Sequence, residues 1–147
     1  MDSEIEILDN YDHPNIVGVF DFCEDEYNIY IALELVAQGD LAKNIKKIKA
    51  SLINKSTAAI EAACANIIHQ IILAIAFLHK QNCMHRDLKP ANVLLKYERF
   101  DELATKITCK VTDFGFAVKK EEYEQIRHSL GTAPYMAPEI IAAKPYD

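Results

Sequence analysis

The segment His85-Arg86-Asp87-Leu88-Lys89-Pro90-Ala91-Asn92 decides how the rest of the chain is read. It places a carboxylate, an ammonium and an amide in one short stretch that Pro90 stiffens. Before it, Ile67, Ile71, Ile75 and Leu78 fall at helical spacing beside Ile68 and Ile72. That broad apolar face predicts a central, heavily buried helix from about Ser56 or Thr57, either of which can cap it, to about Gln81. After it, Val93 to Lys96 reads as a short strand. The segment is therefore a polar loop held between a core helix and a strand.

Each polar group in that loop suits one task. A carboxylate such as Asp87, set against a substrate hydroxyl, can orient it and take its proton late in a transfer. Lys89 offers positive charge to a migrating anionic group, and Asn92 offers a neutral oxygen to a hard cation. One strand further on, after Ile107 to Thr112, comes Asp113-Phe114-Gly115. Asp113 supplies an anionic oxygen of the kind magnesium prefers, and Gly115 allows a turn where a side chain would obstruct it. Then follow a polar segment, Lys119 to Ser129, and Ala137-Pro138-Glu139. Singly, Asp-Phe-Gly is a common turn and His-Arg-Asp a common surface ion-pair cluster. Together, in this order, they are far more specific.

Working outward to the N-terminus, Ile5 and Leu8 fall at helical spacing with Glu4, Glu6 and Asp9 outside, which predicts a short helix over Ser3 to Asn10. His13-Pro14-Asn15 is a turn. Ile16 to Phe22 and Tyr27 to Leu35, across the polar Glu24-Asp25-Glu26, predict an antiparallel hairpin. Gln38-Gly39 breaks the second strand. Asp40 caps a following helix with Leu41, Ile45 and Ile48 on one face and lysines around the other.

Composition narrows the class. The 147 residues are 50% apolar and 26% charged, which suits one globular domain and excludes a disordered tail. A net charge of −6 argues against a nucleic-acid binder, which needs a basic footprint. Cys23, Cys64, Cys83 and Cys109 show no paired spacing, so reduced thiols in a cytoplasmic protein are expected. No signal-peptide core stands at Met1 to Asp9, and the apolar run Ile67 to Leu78 is too short to span a bilayer, so no membrane span is expected.

Over essentially all its length the chain resembles the middle of a eukaryotic serine/threonine protein kinase catalytic domain. The resemblance rests on the loop at 85–92, Asp113-Phe114-Gly115, Ala137-Pro138-Glu139, and His13-Pro14-Asn15-Ile16-Val17 after Glu4. It implies an α+β, two-lobe kinase-like fold, incomplete: residues 1–35 a remnant of the small lobe, 36–39 the hinge, and 40–147 the first part of the large lobe. It implies MgATP as phosphoryl donor and Ser/Thr hydroxyls of protein substrates as acceptors. By resemblance Asp87 is the catalytic base, Lys89 stabilises the phosphoryl group, and Asn92 and Asp113 hold the metal. Glu34, Leu35 and Val36 lie on the hinge, whose backbone would pair with adenine. Leu33 takes the gatekeeper place and Asp40 the place that meets ribose, while Leu41, Val93 and Leu94 line the adenine floor. Leu8, Val19, His85 and Phe114 fall on a stacked regulatory column.

The regulatory residues implied are Glu4, at the end of a regulatory helix, Arg86, which would receive an activation-segment phosphate, and Ser129, the first candidate for that phosphate. Tyr123 and Thr132 stand behind Ser129, and Lys89 with Thr132 fits the serine/threonine type. An activating kinase or regulatory partner is implied with them. Asp113 to Ala117, after a long connection from Asn92, is similar to the Unc-51-like autophagy kinases.

The chain departs from the pattern at both ends. The phosphate-covering glycine-rich loop, the strand lysine that pairs with Glu4 and the distal helices are not in it. The chain alone is thus expected to be weakly folded and inactive. The alternative reading is a natural half-kinase that serves as a binding or regulatory module.

Overall fold

The computed structural model describes residues 11–97, 106–119 and 131–144. The expected helix at Ser3 to Asn10, and with it Glu4 and Leu8, lies outside the described residues, as do Tyr123 and Ser129.

The expected hairpin forms, with its first strand shifted from Ile16–Phe22 toward the C-terminus so that Glu24 belongs to it. β1 (Val19–Glu24) pairs antiparallel with β2 (Ile29–Leu33), with a register shift between Val19 and Asp21. Asp25 closes the turn. Its carboxylate accepts from the N–H groups of Tyr27 and Asn28 and from the Tyr30 hydroxyl. These bonds hold the Asp25 carboxyl below its ordinary range.

Two helices follow. α1 (Leu41–Leu52) starts at Asp40, whose side chain accepts from Lys43 N–H, and α2 (Thr57–Lys80) starts at Ser56, which caps Ala59 N–H. β3 (Cys83–Met84) comes next, then a single 3-10 turn at Pro90–Asn92 and β4 (Val93–Lys96). β4 pairs antiparallel with β5 (Thr108–Val111), and β3 pairs antiparallel with β6 (Val118–Lys119). A second 3-10 turn, Ala133–Tyr135, leads to α3 (Pro138–Ile141). Strands and helices segregate, as expected of an α+β chain.

Two apolar clusters share α2 and β5. One gathers Ile16, Ala74, Leu78, Cys83, Val111, Phe114 and Ala117; the other gathers Ile67, Val93, Leu95, Ile107 and Cys109. Burying each such large side chain contributes about 1.5–3 kcal/mol. Strand alternation sends Val93 and Leu95 inward and leaves Leu94 on the other face. Val93 is therefore core rather than adenine floor. Leu41 packs against the same core cluster.

The expectation of a heavily buried α2 needs correction. Ala63, Ile67, Ala74 and Leu78 form one buried stripe, but Ile68, Ile72 and Leu73 are exposed. Composition shows that a helix is apolar all round; it does not show which sides meet a neighbour. Among the described residues α2 is covered on the side facing β3 and β5. The bilayer argument needs the same care. The helix is 24 residues long, and by length and composition it is long and apolar enough to cross a membrane. A core helix passes that test too, and this one lies along β5 with its Gln70 side chain bonded there.

Gln70 makes that bond. Its Oε1 accepts from Cys109 N–H at 2.9 Å and from Asn15 Nδ2 at 3.0 Å, while its Nε2 donates to Ile107 O at 2.9 Å. One side chain thus satisfies the edge of β5 as a neighbouring strand would. Further along the same edge Val111 N–H donates to Asn15 O at 2.8 Å, and Val17 N–H donates to Val111 O at 2.9 Å. The segment leading into β1 is thereby laid parallel along β5.

Candidate active site

The loop after β3 runs through a sequence of constrained residues. Arg86 has φ +64° and Asp113 φ +67°, both in the left-handed region that L side chains rarely adopt. Such positions cost of order 1–3 kcal/mol and persist where the surroundings fix them. Here the surroundings are His85 and Phe114. Phe114 is 1% exposed and its ring lies 5.1 Å from the His85 ring. His85 Nε2 donates to Thr112 O at 3.0 Å, and its Nδ1 accepts from Asp87 N–H at 3.3 Å. One nitrogen donates and the other accepts, which requires the neutral ring. Burial lowers the His85 pKa in the same sense, outweighing the carbonyl bond and the nearby carboxylates.

Asp87 is 3% exposed. Its Oδ2 accepts from Lys89 Nζ at 2.6 Å and from Asn92 Nδ2 at 3.1 Å. Its Oδ1 accepts from the Thr132 hydroxyl at 2.7 Å. Lys89 Nζ also donates to Thr132 Oγ1 at 2.7 Å, which closes the cluster. Burial alone would raise the Asp87 pKa. Bonds from Lys89, Thr132 and Asn92 outweigh it, so the carboxyl lies below its ordinary value and is ionised.

Gly131 permits this closure. Its φ is +119°, and a Cβ there would stand 2.8 Å from Arg86 O. Only glycine lets the backbone approach the loop so closely that Thr132 reaches Asp87. Thr132, implied by resemblance as a reserve phosphate site, thus stands inside the Asp87 cluster. Arg86 donates through Nε to Phe116 O, and its NH1 nitrogen is buried without a partner among the described residues.

Asn92 and Asp113 stand at one end of the β4–β5 pair. Val93 opposes Val111, and Thr112 N–H donates to Asn92 O at 3.0 Å. Asn92 Nδ2 is committed to Asp87 O and Oδ2, so its amide oxygen is the atom left for a cation. Asp113 is exposed and adds a carboxylate. This all-oxygen pair fits magnesium, which takes one or two protein carboxylates or carbonyls and otherwise water and phosphate.

The other residues that the resemblance sets at the nucleotide divide. Glu34 N–H donates to Gly18 O at 2.8 Å, so of its two backbone groups the carbonyl is left for a ligand. Burial raises the Glu34 carboxyl, but Lys110 outweighs that and its pKa is lowered. Val36 is buried, Leu94 half-buried, and Leu33 exposed. The Asp40 carboxylate is engaged locally, with Lys43 N–H at 2.8 Å and Lys43 Nζ at 2.7 Å. The residue expected at the ribose thus has a structural task at the start of α1. An apolar groove of about 490 Å³ between α1 and α2 is lined by helix residues such as Ile45 and Ile68 and is separate from the Asp87 cluster.

Sequence reasoning missed Gly131 as a packing requirement, Gln70 as the tie to β5, and the Lys110 partner of Glu34. The signal for Gln70 was its place inside an otherwise apolar run.

The protein kinase domain family matches residues 1–147. The chain is 38% identical over 145 residues, 98% of its length, to calcium-dependent protein kinase 6 of Plasmodium berghei (strain Anka), of which it covers 9%. It is 38% identical over 144 residues, again 98%, to the cAMP-dependent protein kinase catalytic subunit of Dictyostelium discoideum, covering 19%. It is 36% identical over 146 residues, 99%, to calcium/calmodulin-dependent protein kinase type 1 of Macrobrachium nipponense, covering 38%. The chain thus spans between 9% and 38% of the length of these relatives.

Proposed function

Since the chain belongs to the protein kinase domain family, we propose that it carries the hinge, catalytic loop and metal ligands of an enzyme that phosphorylates Ser and Thr hydroxyls of proteins. The observation that carries this reading is the Asp87 carboxylate, buried, ionised and held at both oxygens by Lys89, Asn92 and Thr132. Phosphoryl transfer asks mainly for positioning and charge stabilisation. Asp87 would orient the acceptor hydroxyl and take its proton at a carboxylate oxygen as the bond to phosphorus forms. Lys89, beside Asp87, would place positive charge on the transferring group. Asn92 and Asp113 would hold magnesium, which when bound supplies charge to the ATP phosphates. The Glu34 carbonyl and Val36 backbone would meet the adenine, above Leu94.

Arg86 is the charge that would receive a regulatory phosphate, with Ser129 as the phosphate's site and an upstream kinase as its source. Thr132 belongs with the base, because a phosphate there would set a second anion against Asp87. The free cysteines, Cys23 and Cys64 exposed and Cys83 and Cys109 buried, suit a reducing cytoplasm. Burial pushes the Cys109 thiol up to about 11, out of reach of oxidants.

The test is phosphoamino-acid analysis of a protein substrate labelled by the native protein with γ-labelled ATP and magnesium. Phosphoserine or phosphothreonine is the expected product. Phosphotyrosine alone, or no transfer, overturns the assignment.

A further inference from the structure

A second charged cluster, apart from Asp87, joins the strand-rich and helical parts. Lys110 lies on β5 between the core residues Cys109 and Val111, so its side chain takes the opposite face. Its ammonium stands 2.7 Å from Glu34 Oε2 and donates to Ile16 O at 3.2 Å. The same Glu34 oxygen accepts from Gly18 N–H at 3.4 Å. Lys96 adds a weaker contact, 3.7 Å from Glu34 Oε1.

The placement matters more than the pair itself. Ile16 and Gly18 lead into β1, and Glu34 leads out of β2. One lysine on β5 thus grips both ends of the hairpin where it meets the helical part. The Lys110 and Glu34 side chains are only 12% and 20% exposed, so water screens them poorly. Removing Lys110 would leave the half-buried Glu34 carboxylate with only the longer Lys96 and Gly18 contacts. Lys110 also opposes Leu94 across the β4–β5 ladder, and cross-strand partners share a face. The grip therefore stands on the face that Leu94 presents to a nucleotide.

We propose that Lys110 is a positioning residue: by holding Glu34 and the Ile16 carbonyl together it fixes the backbone path of the 34–37 hinge, and so governs nucleotide affinity rather than the transfer step. This rests on the kinase reading above.

The experiment uses the native full-length protein with Lys110→Met and Lys110→Arg. Three readouts are taken: binding of a fluorescent ATP analogue, the separate kcat and KM for ATP, and amide hydrogen exchange at 16–18 and 34–38. For Lys110→Met the analogue Kd and the KM rise about tenfold, kcat stays within twofold, and exchange accelerates in those two segments. Lys110→Arg, which keeps the charge and the donor, restores most of the affinity. Unchanged affinity and exchange in Lys110→Met overturn the proposal, as does a fall in kcat at constant KM. Faster exchange spread over the whole protein also overturns it, since that marks a merely structural residue. If the wild type binds the analogue and the Lys110→Met effects appear, yet no phosphate is transferred, the kinase reading fails and the positioning role stands. A wild type that binds no nucleotide overturns both.

Discussion

Asp87, in the loop after β3, is 3% exposed, whereas Phe20 on β1 is 76% exposed and Leu35, just past β2, is 85% exposed. The loop at 85–92 buries polar side chains and the hairpin leaves apolar ones in water. Around Asp87 both carboxylate oxygens have donors, two at Oδ2 from Lys89 and Asn92 and one at Oδ1 from Thr132, which offsets the cost of desolvation and leaves room at Oδ1 for a further donor. In the hairpin the strands pair along their length apart from the shift between Val19 and Asp21, but its two faces have no layer of their own among the described residues. Hydrophobicity therefore does not decide what is inside. Satisfied hydrogen bonds and the presence of a neighbour do. Stability belongs to α2, β4 and β5, and the hairpin is held at its ends, by Gln70, Asn15, Val111 and Lys110.

If that contrast is right, the largest single effect away from Asp87 itself comes from Gly131→Ala. The new Cβ meets Arg86 O at 2.8 Å in a left-handed backbone. Turnover of the native protein should fall at least tenfold, and stability by about 1–3 kcal/mol. Steady-state kinetics beside a denaturant melt would read both, and unchanged values would show that the approach of 131 to 86 is not needed.

Thr132→Val sharpens the same point with less disturbance. It removes the donor to Asp87 Oδ1 while keeping shape. About 1–3 kcal/mol of transition-state stabilisation should be lost, seen as lower kcat at nearly constant KM for ATP. Thr132→Ser should restore most of it. Equal rates in Val and wild type would remove Thr132 from the cluster.

A smaller effect concerns pH. The folded His85 pKa lies below the ordinary 6.5, so the unfolded state takes up a proton first as pH falls. Stability contributed by neutral His85 is present above pH 6.5 and is lost as pH falls below it. His13, whose pKa is lowered by burial and by Lys110, adds in the same direction. Melts between pH 7.5 and 5.5 should show falling stability, with a shallower slope in His85→Gln. A slope of the same size in that variant would assign the titration elsewhere.

The smallest effect is expected at the exposed end of the comparison. Leu35→Ser should change stability by no more than about 0.5 kcal/mol. A loss of several times that would mean that the hinge side chain has a partner and that the contrast is drawn too sharply.

Much of this was legible in the sequence because it is local. The Asp25 turn, the Asp40 and Ser56 caps, and the strand at Val93 to Lys96 each rest on neighbours in the chain. The loop at 85–92 and Asp113 were legible because their chemistry is unusual at that spacing. What was not legible is non-local. Thr132 meets Asp87 across 45 residues, and Gln70 meets Cys109 across 39. Nothing in the run Ile67 to Leu78 tells Ile67, which is buried, from Ile68, which is not. That distinction depends on where β5 lies. Which of the neighbours Val93 and Leu94 turns inward was not legible for the same reason: both are apolar, and the packing of the core chooses between them.

The central claim is that the buried cluster centred on Asp87 is the site of phosphoryl transfer. Its most direct test is Asp87→Asn in the native full-length protein, with nucleotide binding and peptide phosphorylation measured side by side. The account predicts turnover reduced about 10²- to 10⁴-fold with nucleotide affinity unchanged. Undiminished turnover in Asp87→Asn would contradict it.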